Sequence, residues 1–392
     1  MGDWVIGASS EMLNWSLYQN PLAGSAHYLT LSDHFEFDEA IFGTARIGGF
    51  GDARAMLYGA GLTKDLVRDA ARNWLMKELR VYDAQGKWAY QGFVGEITAT
   101  YGHDTWKRQI GWIANSIRAV YRKRDPLRPN ASRKKYATAQ DADSQALYGK
   151  RQLKLDLTQR GIMKAAQAQL AANRLLAKYK DFIFDEWHSE FLEPSIELVF
   201  FGYFYTLQWN EVLKRFVKKK DIAVIIQRVL EQTSEVQFIT QDFANLETTG
   251  NTLSYNTDGM RMPPQDYIIE TIANGDVNGR RLSFQIWEDR TPYLSAAPTL
   301  INVRGETGDA RIWDANHSAR PGYLVRAGDF RISEDLNEDI AVAAYPENAL
   351  WATQIEMTEW DDLGGKLVTK SADLDGVENE LGRLGGKNRV PA

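Results

Sequence analysis

Apolar residues recur at helical spacing in several segments, and these segments predict the helices of the chain. The longest, GIMKAAQAQLAANRLLAKYK over 161–180, is rich in alanine and predicts a helix of about six turns. A second segment, KDLVRDAARNWLMKEL over 64–79, follows Thr63, which is a suitable N-cap for its helix. Asp221 is placed to cap a third helix, and Pro264 marks the start of a fourth.

Alternating apolar positions predict strands on both sides of these helices. The sequences ELRVYD over 78–83 and WAYQGFVGEITATY over 88–101 predict a β-hairpin, with a bulge at Gly92 where the alternation slips. A turn at 101–104 should then lead into a third strand, so that the meander forms a small barrel or a strongly curved sheet. The stretch 196–209 is apolar on both faces, which is typical of a central strand.

These elements predict an α+β protein that is mainly β, with a small barrel or strongly curved sheet and a mixed α/β region. A length of 392 residues is enough for two or three domains, each with its own core. The expected parts are a β-rich barrel-like domain with one helix over 1–121, a basic linker or loop over 122–140, a mixed α/β domain over 141–290 that contains the long helix, a β-rich region over 291–363, and a flexible tail over 364–392.

Composition and charge narrow the function classes. The chain has no cysteine, which excludes disulfides, thiolate metal sites and cysteine nucleophiles. Its net charge of −6 is unlike the basic balance of a DNA-coating protein, although the run RKRDPLRPNASRKK over 122–135 is locally basic. Without interleaved aromatic residues, such a run is typical of a solvated loop. We expect a soluble protein made in the cytoplasm, with no signal peptide and no membrane-spanning segment.

The stretch DADSQALYGKR over 141–151 has Gly149 and Lys150 near its end, as a phosphate-binding loop does. Such a loop needs a glycine five residues before Gly149, so that successive N–H groups can surround a phosphate, but Ser144 stands there. It also needs a Ser or Thr after the lysine, where this chain has Arg151. The motif fails at both points.

We interpret this stretch instead as a docking strand between two domains. Asp143 or Ser144 can satisfy loop N–H groups, and Tyr148 can bury its ring while its hydroxyl stays in water. Gly149 lets the backbone turn. In this interpretation the stretch is a scaffold feature.

Other patterns that could carry chemistry have simpler explanations. Gly48, Gly49 and Gly51 have the wrong spacing for a dinucleotide loop, and a glycine-rich turn accounts for them. The segment 185–193 has four carboxylates around His188, but no second histidine lies four residues away on a shared helix face, so a charged surface segment is expected. The carboxylates are Asp185, Glu186, Glu190 and Glu193, and the other histidines are His27, His34, His103 and His317. No nucleophile elbow is present, so we expect no enzyme, no metal and no cofactor.

Several segments also follow one another in a familiar order. A hairpin with W-x-Y-x-G-F-V-G-x-I and the strand IANSIRAVY precede D-x-x-S-x-x-x-Y-G-x-R and the long helix. FGYFYTLQW, QFITQDFANLETTGN, FQIWEDR and A-G-D-F-R-I come after it. This series, over most of residues 40–350, resembles the minor tail or baseplate-hub (tail-tip) proteins of tailed bacteriophages, in which barrel-like domains surround the tail axis and smaller mixed α/β domains join them.

The resemblance implies a virion structural protein that forms a ring, a trimer by analogy with the hub, and links the tail tube to the host-recognition apparatus. The implied partners are copies of itself and tube, distal-tail, tape-measure and fibre proteins. Nucleic acid is expected only transiently in the channel. The implied location is the virion tail, after assembly in the host cytoplasm. The 12 Trp and 17 Tyr residues would supply anchors for the subunit interface.

The alternative is a carbohydrate-binding adhesin of the tail tip. In that case exposed Trp and Tyr rings would stack on sugars, and Asn and Asp side chains would make the polar contacts. A saturable glycan signal that is lost when exposed aromatic residues are mutated would distinguish this function from the structural one.

Overall fold

The computed structural model of the chain is mainly β, which confirms the predicted α+β class with a majority of strands. It describes residues 3–7, 13–45, 47–82, 86, 88–125, 127–181, 185–213, 217–255, 261–279, 282–295, 300–301, 324–326, 352–361 and 366–371. Most of the expected region 291–363 and of the expected tail 364–392 lies outside these residues.

The elements have the following bounds. The strands are β1 (Asp3–Gly7), β2 (Asn14–Tyr18), β3 (His27–Thr30), β4 (Glu36–Ala45), β5 (Ile47–Tyr58), β6 (Glu78–Tyr82), β7 (Trp88–Gln109), β8 (Ser116–Asp125), β9 (Arg128–Gln140), β10 (Gln152–Asp156), β11 (Asp185–Phe201), β12 (Val212–Leu213), β13 (Val217–Asp221), β14 (Thr252–Tyr255), β15 (Arg261–Met262), β16 (Ser283–Ile286), β17 (Pro292–Ser295), β18 (Leu300–Ile301), β19 (Leu324–Arg326), β20 (Ala352–Asp361) and β21 (Lys366–Ser371). The α-helices are α1 (Leu31–His34), α2 (Lys64–Asn73), α3 (Ala142–Tyr148), α4 (Ala165–Tyr179), α5 (Ile222–Leu230) and α6 (Pro264–Ile272). Short 3-10 helices cover Ile110–Trp112, Thr158–Arg160, Tyr203–Gln208 and Glu288–Arg290.

The largest sheet has 14 strands, and its main path runs β1-β21-β20-β4-β5-β11-β7-β6-β2-β3. No pairing between described strands joins β1 to β3, so in the described part of the chain the sheet is open at both ends. A second sheet has the order β10-β8-β9, with β10 parallel and β9 antiparallel to β8.

The predicted hairpin forms between β6 and β7, but two details differ from the expectation. Gly92 pairs in register with Leu79, and the hairpin shifts register at Ala89 instead, between the pairs Val81–Tyr90 and Tyr82–Trp88. On the other side of β7, the pairing with β11 skips Gly95. A side chain at Gly95 would overlap the ring of Phe201 from β11, so the bulge lies where that ring crosses the strand. The chain also makes no turn at 101–104, because β7 continues unbroken to Gln109.

The N-termini of α2 and α5 follow the predicted capping chemistry, but α2 ends at Asn73 instead of Leu79, because Glu78 and Leu79 belong to β6. The hydroxyl of Thr63 accepts a hydrogen bond from the N–H of Leu66 at 3.4 Å, and the carboxylate of Asp221 accepts one from Ala223 at 2.9 Å. The C-terminal end of α2 is held by a residue distant in the sequence. Arg108 of β7 donates hydrogen bonds to the carbonyl oxygens of Ala71 and Arg72. A cation at this end also complements the helix dipole.

Two separate apolar cores revise the expected domain boundaries at 121 and 141. The larger core is formed by buried residues between Leu13 and Leu294 of the sequence, many of which lie on strands of the 14-stranded sheet. The smaller core combines alanines and aliphatic residues of β8, β9 and α4, such as Ile117 and Ala172. Since β11 returns to the large sheet between β5 and β7, residues 114–179 form a body inserted into the main one.

The basic segment 122–140 belongs to this inserted body and is not a linker. It forms most of an antiparallel hairpin of β8 with β9, in which Ser116 pairs with Gln140 and Arg124 with Ser132. The half nearest the core alternates apolar and polar residues, as the buried Ala137 and Ala139 show. The charged half of the hairpin is exposed to solvent. The segment is therefore exposed as predicted, but it forms a β-hairpin instead of a linker or loop.

Two further predictions change in detail. The apolar stretch 196–209 is central as expected, but its strand ends at Phe201 and a 3-10 helix follows. Gly48 and Gly49 lie in β5 instead of a turn, and both have a positive φ. A side chain at Gly49 would overlap the backbone of Ile286, so glycine permits the parallel pairing of β16 with β5. None of the helices in the described ranges has the length and apolar character needed to cross a bilayer.

Candidate functional site

The stretch 141–151 forms a short helix and a turn, which corrects its interpretation as a docking strand. The carboxylate of Asp141 accepts a hydrogen bond from the N–H of Ser144 at 2.9 Å and caps α3. Ser144 in turn donates from its hydroxyl to the carbonyl of Lys180, just after α4. Gly149 has a φ of 70° and ends the helix, so the expected turn at this glycine is present.

Asn115 fixes this stretch from the start of β8. Its side chain is fully buried and donates to the carbonyl of Gly149 at 2.8 Å and to the hydroxyl of Ser144 at 3.3 Å. Its Oδ1 accepts the N–H of Arg151 at 2.8 Å. One amide therefore satisfies groups at three positions of the stretch and holds it against the inserted body.

Lys150 binds a neighbouring carboxylate. Its Nζ lies 3.0 Å from Glu235, and its backbone N–H donates to the side chain of Gln237 at 2.6 Å. The lysine that completes the apparent phosphate-loop motif therefore joins the inserted body to the loop after α5.

Arg151 is the unusual residue of the stretch, because it is buried without a carboxylate. Its side chain is 7% exposed, and its Nε donates to the carbonyl of Ile113 at 3.1 Å. The guanidinium lies over the ring of Trp209, with 4.0 Å between Cζ and the ring centroid. Burial lowers the pKa of Arg151 to about 9, so the group stays protonated at neutral pH.

Two donors in this region lack an acceptor. Among the described residues, neither Nη1 of Arg151 nor Nε1 of Trp209 has a hydrogen-bond partner, and both atoms are buried. A buried donor left in this state costs about 1–3 kcal/mol, and more when it is charged. Arg108, the other strongly buried arginine, differs in that its guanidinium binds helix carbonyls.

A cleft of about 420 Å³ opens beside this pair. It lies where the inserted body meets the main one, and four separate segments contribute to it. Its lining residues are Gly111, Trp112, Ile113, Ala114, Arg151, Gln152, Leu153, Tyr179, Gln208 and Trp209. Arg151 is the one charged residue in this set, so the cleft combines a single positive charge with aromatic and amide groups.

The other residues singled out from the sequence do not converge on this cleft. The segment 185–193 lies along β11, and Glu193 there is exposed. Among the described residues, no group of three His, Asp or Glu side chains could hold a metal ion. His27, His34 and His103 lie on separate elements, and His317 lies outside the described residues.

A second feature is the free edge of β11. From Ile196 onward the strand lies between β5 and β7, but residues 185–195 pair only with β7 among the described strands. Three large apolar side chains are exposed on this part: Trp187 at 42%, Phe191 at 68% and Leu192 at 44%. We call residues 185–195 the β11 edge.

The cleft is not apparent in the sequence. Arg151 stands out there only as a departure from the phosphate-loop pattern, and local spacing contains no sign that this arginine is buried. The lining positions come from segments around residues 112, 151, 179 and 208, which become neighbours only through the tertiary fold. No protein-family model matches the sequence, and no curated protein is similar enough to count as a relative.

Proposed function

We propose that the protein is a structural subunit of a bacteriophage tail hub or tail tip. It assembles as a symmetric ring, a trimer by analogy, at the distal end of the tail and connects the tube to the host-recognition apparatus. The ordered sequence segments described above support this assignment.

The β11 edge is the structural observation that carries the proposal. An unpaired strand edge presents N–H and C=O groups that can pair with another chain, and soluble proteins usually protect such edges with charge or proline. The β11 edge has such protection in Glu193 and Pro194, yet it also exposes three large apolar side chains, Trp187, Phe191 and Leu192. Aromatic side chains of this kind are typical anchors of subunit interfaces.

A ring also accounts for the open sheet. In a heterologous interface the edge of one subunit meets a different surface of the next, and rotation closes the ring. The barrel-like closure that the resemblance implies would then arise between subunits, with the β11 edge as one contributor.

Light scattering coupled to size exclusion, over a range of concentrations, tests the proposal. We expect a discrete ring-sized species for the unmodified protein and a shift toward monomer for Phe191→Lys, because lysine at an edge opposes strand pairing. Leu170→Gln is the matched control, since it removes an exposed leucine from α4, away from the edge. A strict monomer at every concentration, combined with absence of the protein from purified tails, would overturn the proposal.

A further inference from the structure

The cleft beside Arg151 has a charge that nothing in the described protein neutralises. The guanidinium has no ion pair with a described carboxylate, and the residues lining the cleft include no acid. Burial of an unpaired charge is expensive, and proteins usually place a carboxylate next to it. An arrangement without one is typical of a site whose anion arrives with a ligand.

The surroundings hold these groups in place before any ligand binds. Trp209 packs edge-on against Phe238, Phe93 and Tyr205, with centroid distances of 5.5, 5.6 and 6.2 Å. Arg151 is fixed by Trp209 on one face and by Ile113 at Nε. Ligand binding would therefore require little loss of side-chain entropy at these residues.

The other residues that line the cleft indicate what kind of group the ligand carries beside its negative charge. Trp112 and Tyr179 are half-buried, and Gln152 and Gln208 bring amide groups that both donate and accept hydrogen bonds. An aromatic surface with a few amides is suited to a ring that has an apolar face and hydroxyl groups. A volume of about 420 Å³ is large enough for one such ring.

We propose that this cleft binds a sugar acid, with its carboxylate at the Arg151 guanidinium and its ring against Trp112 and Tyr179. A carboxylate supplies two acceptors and matches the planar guanidinium. The inference is independent of the proposed ring, since neither Arg151 nor its neighbours belong to the β11 edge.

Ligand-detected NMR with three probes tests the site. We expect D-glucuronate to bind, D-glucose to bind at least about tenfold more weakly because it lacks the carboxylate, and acetate to bind weakly because it lacks the ring. Failure of glucuronate to bind would overturn the inference. Equal binding of glucuronate, acetate and inorganic phosphate would also overturn it, because the cleft would then select only for charge.

A charge variant that leaves the core intact locates the binding. Gln208 is exposed and lines the cleft, so Gln208→Glu should weaken glucuronate binding about tenfold by repulsion while the fold is kept. Ala166→Glu is the control, because it adds the same charge at an exposed position near the other end of α4. Equal weakening by both variants would show a general charge effect and would contradict this location. Arg151→Met should abolish binding, with circular dichroism to confirm that the variant folds.

Discussion

Asn115 and Arg151 hold each other at two points. The N–H of Asn115 donates to the carbonyl of Arg151 at 3.1 Å, and the N–H of Arg151 donates to Oδ1 of Asn115 at 2.8 Å. Asn115 directly precedes β8 and Arg151 directly precedes β10, and these two strands are parallel neighbours in the second sheet. The backbone position of the buried arginine is therefore set by an asparagine 36 residues earlier.

Asn115→Ala should destabilise the inserted body by about 3 kcal/mol, because it leaves the buried carbonyl of Gly149 and the N–H of Arg151 without side-chain partners. Urea unfolding measures this change. Asn173→Ala, at an exposed position of α4, is the control and should have little effect. Equal stability of the two variants would contradict the role given to Asn115.

Tyr203→Phe should lower the free energy of unfolding by about 1–3 kcal/mol. The hydroxyl of Tyr203 donates to Oε2 of Glu78 at 2.7 Å, and both side chains are almost fully buried. Removal of this donor leaves a buried carboxylate with fewer hydrogen bonds. Tyr58→Phe is the control, since that tyrosine is 40% exposed. Thermal and urea denaturation should show a loss for the first variant and little change for the second.

Gly202→Ala should destabilise the large sheet by on the order of 3 kcal/mol, because the new Cβ would overlap the backbone oxygen of Phe50. Backbone atoms of a central strand cannot move aside as a flexible side chain can. Gly111→Ala has open space around the new Cβ and serves as the control. Similar unfolding midpoints for the two variants would show that the strands separate more easily than this packing implies.

Asp141→Asn should destabilise the protein at neutral pH but not in strong acid. The hydrogen bond from Ser144, and then the contact with Lys180, lower the pKa of Asp141. A lowered pKa means that the charged carboxylate stabilises the fold above its unfolded pKa of about 3.9, and that this contribution is lost as the pH falls through the lower folded value. An asparagine side chain can still accept the hydrogen bond from the N–H of Ser144, but it has no negative charge to interact with Lys180.

Unfolding measured from pH 7 down to pH 2 checks this expectation. The difference in stability between wild type and Asp141→Asn should be constant above about pH 5 and should shrink below about pH 4. Asp143→Asn is a neighbouring control, because Asp143 contacts the Asp141 carboxylate through its backbone N–H, which the substitution keeps, while its own side chain is exposed. A difference that persists unchanged at pH 2 would contradict the charge contribution.

The sequence predicted those features that depend on neighbouring residues. Thr63 and Asp221 cap helices as expected, and the alanine-rich α4 lies within the predicted range 161–180. The apolar alternation also identified the β6–β7 hairpin. In each case the signal lies within a few residues of the structure that it specifies.

Features that depend on distant partners were missed. The basic run 122–140 was expected to be a linker because its charges dominate the local pattern, yet Ala137 and Ala139 pack in the inserted core. The turn predicted at 101–104 is absent, because pairing with β11 carries β7 through this position. The Arg151 cleft depends on four segments at once, and periodicity in a single sequence contains no information about such contacts.

The position of β20 in the large sheet has a consequence for synthesis on the ribosome. Met357 pairs with Ala45, and β20 is the described neighbour of β4 on the side away from β5. At a synthesis rate of about 5–20 residues per second, β4 waits on the order of tens of seconds before β20 emerges. During that time its edge is free to pair with other nascent chains. The yield of folded protein should therefore depend on how well chaperones protect residues 36–45 while the chain is being synthesised.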